Sequence, residues 1–123
     1  MHYSKLKISS DATSKLRSMR QRTGMTPNLL CRYALMSSLE DGALGNVPPP
    51  NQDGQEFNAY TLTGELTELF LALVRFVEDT DAKRPLTDEQ VLTRLRGHIH
   101  RGVGSLAVRV KSPADLFRES KAA

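Results

Sequence analysis

Residues 5–41 read KLKISSDATSKLRSMRQRTGMTPNLLCRYALMSSLED, and their reading decides the fold. They open on an alternation, with Lys5 and Lys7 polar and Leu6 and Ile8 apolar. That is the period of a short strand with one lysine-bearing face. Ser9, Ser10 and Asp11 follow. These residue types cap helix starts, because their side-chain oxygens accept from the free N–H groups of the first turn. The helix predicted here runs to about Thr23. At 3.6 residues per turn Ala12, Leu16 and Met19 share one narrow stripe, with Lys15 and Arg22 on one flank and Arg17 and Arg20 on the other. Gly24 stands where a helix ends in the left-handed conformation. Thr26-Pro27 then restarts the helix, with a capping residue followed by a proline suited to the first helical position.

The second helix runs to Glu40 or Asp41, and its apolar residues cover most of its circumference. A helix apolar nearly all round needs cover on several sides. In a chain of 123 residues this predicts a protein interface, with Leu30, Leu35 and Leu39 as the oligomer contact.

Beyond it, residues 42–56 form a Pro-rich loop around Pro48–Pro50, either a crossover or a mobile segment. A second short strand is expected over Phe57 to Leu62. A third helix is predicted from about Gly64 to Asp79, with Leu66, Leu69, Phe70, Leu73, Val74, Phe76 and Val77 on a wide apolar face. A fourth begins at Thr87, where Gln90 completes a capping box and Leu86 and Val91 form a hydrophobic staple. Its glycines, Gly97, Gly102 and Gly104, predict an end near Gly102. A short helix is expected over 113–120. The fold class is therefore mainly α in a single small domain, 1–123. It comprises a strand–helix–helix unit (1–41), the loop (42–56) and a helical part (57–123).

The longest apolar run, Leu69 to Val74, is far below the roughly 20 residues of a membrane span. The first residues lack the apolar stretch of a secretory signal, so a cytoplasmic protein without membrane contact is expected. Net charge is +3, but its placement is uneven. Residues 1–35 carry seven basic groups against one acidic, residues 36–93 three against eleven, and residues 94–123 seven against two. Two basic ends around an acidic middle suit a polyanion binder. A solvated face whose charges pair with the acidic middle explains the pattern equally well.

The residues offer little for catalysis. Cys31 lies among apolar neighbours inside the second helix and reads as a small buried hydrophobe. His98 and His100 are two apart and point to nearly opposite sides of a helix, so no metal site is expected. Gly102-Val103-Gly104 fails the dinucleotide fingerprint. Glu78, Asp79 and Asp81 read as a solvated helix end, and Asp88 and Glu89 complement a helix N-terminus. Neither an enzyme nor a cofactor is expected.

The strand, basic helix, glycine turn and apolar second helix together resemble the ribbon-helix-helix architecture of small DNA-binding proteins. In that family the strands of two subunits pair, and the ribbon's polar face meets DNA. The resemblance places Lys5 and Lys7 against nucleic acid, and the second-helix start, with Thr26 and Asn28, as a phosphate anchor through free N–H groups. The chain continues some 80 residues past that unit, and its strand lacks the Asn, Gln or Arg that read base edges. Over its whole length the sequence is similar to the DndE family of DNA sulfur-modification (phosphorothioation) proteins. The likeness lies in Lys5-Leu6-Lys7-Ile8-Ser9, in Arg22-Thr23-Gly24-Met25-Thr26-Pro27-Asn28 and its apolar helix, in Gly64-Glu65-Leu66, and in the basic stretch Arg94 to Arg101. That resemblance implies a helical homotetramer that binds double-stranded DNA, with nicked duplex preferred, through surface basic residues. It also implies an accessory role beside the other DNA sulfur-modification subunits, which supply the chemistry. The DNA contacts expected are Lys5, Lys7, Lys15, Arg17, Arg20 and Arg22, binding phosphates without sequence readout. The alternatives are a ribbon-helix-helix transcription regulator and a scaffold that binds partner subunits but not DNA.

Overall fold

Strand β1 (Lys5–Lys7) leads into helices α1 (Ser10–Thr23) and α2 (Pro27–Glu40). Strand β2 (Glu56–Asn58), the short helix α3 (Ala59–Leu62) and a 3-10 turn over Gly64–Leu66 follow. Helices α4 (Thr67–Ala82) and α5 (Asp88–Arg109) come last. This is a computed structural model, and it describes residues 2–112, 114 and 115. The architecture is mainly α with one two-stranded antiparallel sheet, in a single small domain. The short helix expected over 113–120 lies, but for residues 114 and 115, outside the described residues.

The start and stop signals act as their chemistry requires. Ser9 Oγ accepts from Ala12 N at 3.1 Å, and Gly24 adopts φ 74° to end α1. Thr87 and Gln90 make the reciprocal capping box of α5. The stripe of Ala12, Leu16 and Met19 is buried as predicted.

The strand finds its partner inside the chain. Lys5 faces Asn58, Leu6 faces Phe57 and Lys7 faces Glu56, and Gly54 N and Ile8 N extend the pairing with Ile8 O and Gln55 O. The loop over 42–55 is thus a crossover that carries β2 back to β1. A ribbon-helix-helix protein draws that partner strand from a second subunit, so this part of the resemblance is corrected.

Helix α2 is also covered from within. Helix α5 lies along it, and Leu30, Cys31, Ala34 and Leu35 are buried. Leu30 and Leu35 are core residues of one chain, and Leu39 is partly buried against the same core. Leu30 and Leu35, expected at an oligomer contact, are therefore covered within one chain, a correction, while Leu39 keeps part of its surface exposed. The cause lies in α5, which does not stop at Gly102 but continues to Arg109. A Cβ on Gly102 would overlap the Ala34 carbonyl. The glycine is therefore the point of closest approach between two helix backbones, and its absent side chain lets α5 cover α2.

The wide apolar face of α4 is split. Phe70, Leu71 and Val74 enter the core, whereas Leu66, Leu69 and Phe76 are 43%, 52% and 71% exposed. Leu29, Tyr33 and Met36, at helical spacing on α2, are also exposed.

Candidate nucleic-acid interface

The basic residues divide by what holds them. Helix α1 presents two pairs, set apart by the helical period. Lys15 and Arg22 face the seam with α5, where Lys15 Nζ approaches Gly104 and Arg22 Nη2 donates to Ala107 O at 3.3 Å. Lys15 also pairs with Asp11 one turn earlier at 2.7 Å, and that hydrogen bond holds the Asp11 carboxyl below its ordinary range. Arg17 and Arg20, on the other flank, are exposed, and their side chains have no hydrogen-bond or ion-pair partner among the described residues. An arginine held by nothing keeps all its donors for an incoming anion.

On β1, Lys5 and Lys7 project outward from either side of the buried Leu6. Lys5 Nζ lies 3.7 Å from Glu56 across the sheet, a solvent-exposed pair worth little. The Lys7 ammonium has no partner among the described residues, while its carbonyl accepts from Arg96 Nε at 2.6 Å.

The proposed phosphate anchor is partly engaged. Thr26 caps α2 by conformation alone, without a side-chain hydrogen bond. Asn28 Nδ2 donates to Thr61 O at 3.3 Å, and Arg32 donates to Thr61 O and Leu62 O. Side chains from the first two turns of α2 thus satisfy carbonyls at the end of α3.

The basic stretch Arg94 to Arg101, by contrast, turns inward. Arg101 donates to Ser38 Oγ and to the carbonyls of Ser38, Gly42 and Ala43, and so closes the C-terminal end of α2. Its positive charge sits where the α2 carbonyls concentrate negative potential. Arg94 donates to Gly45 O and lies 3.5 Å from Glu78. These arginines brace the crossover. Their signal in the sequence was the spacing Arg94, His98, Arg101, a polar row at i, i+4 and i+7 on a helix buried elsewhere.

That row includes a sealed polar chain. Glu78, expected at a solvated helix end, is 2% exposed, because α5 closes over this turn of α4. Glu78 Oε2 accepts from His98 Nε2 at 2.8 Å, and His98 Nδ1 meets Ser38 Oγ at 2.8 Å. With Arg101 donating to Ser38 Oγ, the consistent assignment has the serine hydroxyl donating to Nδ1 and the imidazole neutral. Burial in particular holds the His98 proton affinity below the ordinary imidazole value, against the pull of Glu78. The order serine, histidine, carboxylate is that of a hydrolytic relay. Here all three are buried and the hydroxyl is already bonded twice, so the chain binds α2, α4 and α5 together. Cys31 is similarly enclosed, and burial pushes its thiol up to about 12. Among the described residues no group of three His, Cys, Asp or Glu could hold a metal ion, and no helix is long and apolar enough to cross a membrane.

Comparison with known proteins fits this fold. The family described as DNA sulphur modification protein DndE matches residues 5–114. The crystal structure of DndE from Escherichia coli B7A, involved in DNA phosphorothioation modification, matches with a TM-score of 0.73 at 19% identity, covering 86% of this chain and all of that one (100%). A glycine-to-lysine mutant of DndE, involved in DNA phosphorothioation, matches with a TM-score of 0.65 at 18% identity, covering 84% of this chain and 95% of that one. At such identities the structural likeness shows the fold alone. No curated protein matches.

Proposed function

The chain belongs to the DndE family of DNA sulphur modification proteins, and from that premise we propose that it is an accessory subunit that grips duplex DNA by its backbone phosphates. The observation that carries this reading is the pair Arg17 and Arg20, exposed on α1 without a partner among the described residues. Lys7 and Lys5 on β1 add to the grip, Lys15 and Arg22 contribute charge from the α5 seam, and the backbone at Thr26 and Asn28 offers the phosphate anchor. Lysine and arginine on phosphate carry no base information, so binding is independent of sequence. A preference for nicked duplex then comes from its easier bending.

Self-association to a tetramer multiplies a weak patch into useful avidity. The row of Leu29, Tyr33 and Met36 on α2, with Leu66 just before α4 and Leu69 and Phe76 on it, supports it. These side chains stay exposed after the chain has buried its own core. The chemistry of sulfur insertion belongs to partner subunits of the system, and the protein localises with them in the cytoplasm.

Gel retardation tests the reading. Wild-type protein at micromolar concentration shifts nicked duplex more than intact duplex, irrespective of sequence, and the shift fades with salt. Arg17→Glu with Arg20→Glu removes it. No shift of either duplex at low salt contradicts the proposal. If partner subunits are still captured in that case, the scaffold reading replaces it.

A further inference from the structure

We propose that the cavity beneath the proline crossover binds a small organic anion of nucleotide size, with a flat apolar body and a phosphate. This site is separate from the α1 arginines and does not depend on the DNA-binding reading.

The cavity exists because the crossover is pinned at both ends and stands away from α5 between them. At the near end Leu44 fits the notch left by Gly97, where an added Cβ would come within 2.6 Å of Leu44 Cδ1. Leu44 N donates to Glu78 Oε2 at 3.1 Å, and Gly45 O accepts from Arg94 at 3.0 Å. At the far end Asn51 Oδ1 accepts from Ser10 N at 3.0 Å. Between the pins, Asn46 to Pro50 arch over α5 and enclose about 560 Å³. Ligand sites typically enclose roughly 300–1,000 Å³.

The lining has two chemistries. The arch and the α4–α5 turn supply Leu44, Val47, Pro48 to Pro50 and Leu86. Prolines have no N–H and a fixed φ, so this wall is stiff and offers a ligand apolar contact. Val47 is 61% exposed, an apolar side chain that the chain leaves uncovered at the lip. The floor is one face of α5, with Arg84 at the entrance to that helix and Arg94, His100 and Arg101 along it. Among the described residues no carboxylate lines the cavity.

Not every cation is available. Arg101 is fully used on carbonyl and hydroxyl oxygens, and Arg94 shares its charge with Glu78. Both set a positive potential without moving. Arg84 holds only a 3.5 Å contact with Gln90 Oε1, so its guanidinium can turn to an anion. His100 spends Nδ1 on Ser9 Oγ at 2.6 Å. That bond leaves Nε2 as the ring nitrogen able to meet a ligand. The cavity therefore offers the Arg84 guanidinium at one end, a ring nitrogen of His100 at the other and an apolar wall above them. A phosphate at Arg84 with a flat ring against Val47 and the prolines satisfies both.

The test is ligand-induced thermal stabilisation and calorimetry of the full chain. The probes are nucleoside monophosphates, with adenosine and inorganic phosphate as partial ligands. A nucleoside monophosphate should raise the Tm saturably, and each partial ligand should bind at least tenfold more weakly. Arg84→Glu should weaken binding tenfold or more, and Thr93→Phe, which fills the cavity, should abolish it. Both positions are at least partly exposed, and circular dichroism checks that the variants keep their helix content. No stabilisation by any nucleoside monophosphate at millimolar concentration overturns the proposal. Binding that survives both variants overturns it too, because the ligand then sits elsewhere. Equal affinity for phosphate alone removes the apolar half of the argument and overturns it as well.

Discussion

His98 is the residue on which the interior most depends. It accepts from Ser38, donates to Glu78 and is fully buried, so it is held neutral. In the unfolded chain the same imidazole titrates near 6.5. As pH falls through that value, the unfolded state takes up a proton that the folded site refuses. Stability should therefore be complete above about pH 6.5 and decline as acidification proceeds toward the depressed folded value. Denaturant unfolding at pH 7 and pH 5 measures this, and His98→Phe should remove the imidazole's share of the difference. That variant also leaves Ser38 and Glu78 each short of a partner, at a cost of about 1–3 kcal/mol at pH 7. A pH dependence unchanged in the variant would rule out His98 as its source. Little of this was legible in the sequence. Glu78 sits beside Asp79 and Asp81 and looks solvated, and only the three-dimensional closure of α5 shows that it is buried.

Among the elements, α5 distinguishes two glycines that look alike in sequence. Gly102 touches the Ala34 backbone, whereas a Cβ on Gly104 would find only Lys15 Nζ, at 3.9 Å. Gly102→Ala should therefore destabilise by about 1–3 kcal/mol or more, since neither helix backbone can yield easily. Gly104→Ala should stabilise by up to about 1 kcal/mol, because alanine favours the helix and nothing obstructs it. Equal effects at the two positions, measured by chemical denaturation, would contradict the close approach of α2 and α5. The capping chemistry of the elements was readable in advance: Ser9, Gly24, Thr87 and Gln90 all act locally. The extent of α5 was not, because helix propensity weighs a glycine against water while Gly102 is placed by a neighbouring helix. The partner of β1 was also hidden, since strand pairing joins residues some 50 positions apart.

At the scale of the whole molecule, the burial of α2 changes what a test of assembly should mutate. Leu35→Glu places a charge in the core of a single chain and should unfold it. Met36→Glu and Leu69→Glu alter exposed positions instead, and should leave the fold intact while reducing the particle mass seen by light scattering. A monomeric wild-type protein would contradict the assembly. Composition alone overstated the second basic end of the chain, because Arg94 and Arg101 are committed to internal carbonyls. At the first end the side chains of Arg17, Arg20 and Lys7 are exposed and without a partner among the described residues, although Glu56 stands opposite Lys7 across the sheet.

The most direct test is the salt dependence of nicked-duplex affinity, followed by fluorescence anisotropy for wild type and the Arg17→Ala/Arg20→Ala variant. The account predicts a straight log–log plot for wild type, with a slope of about −0.9 per phosphate contacted. The variant's slope should be shallower by about one contact for each arginine removed from the interface. Identical slopes for the two proteins would contradict it, because the phosphates would then be held by something other than the free face of α1.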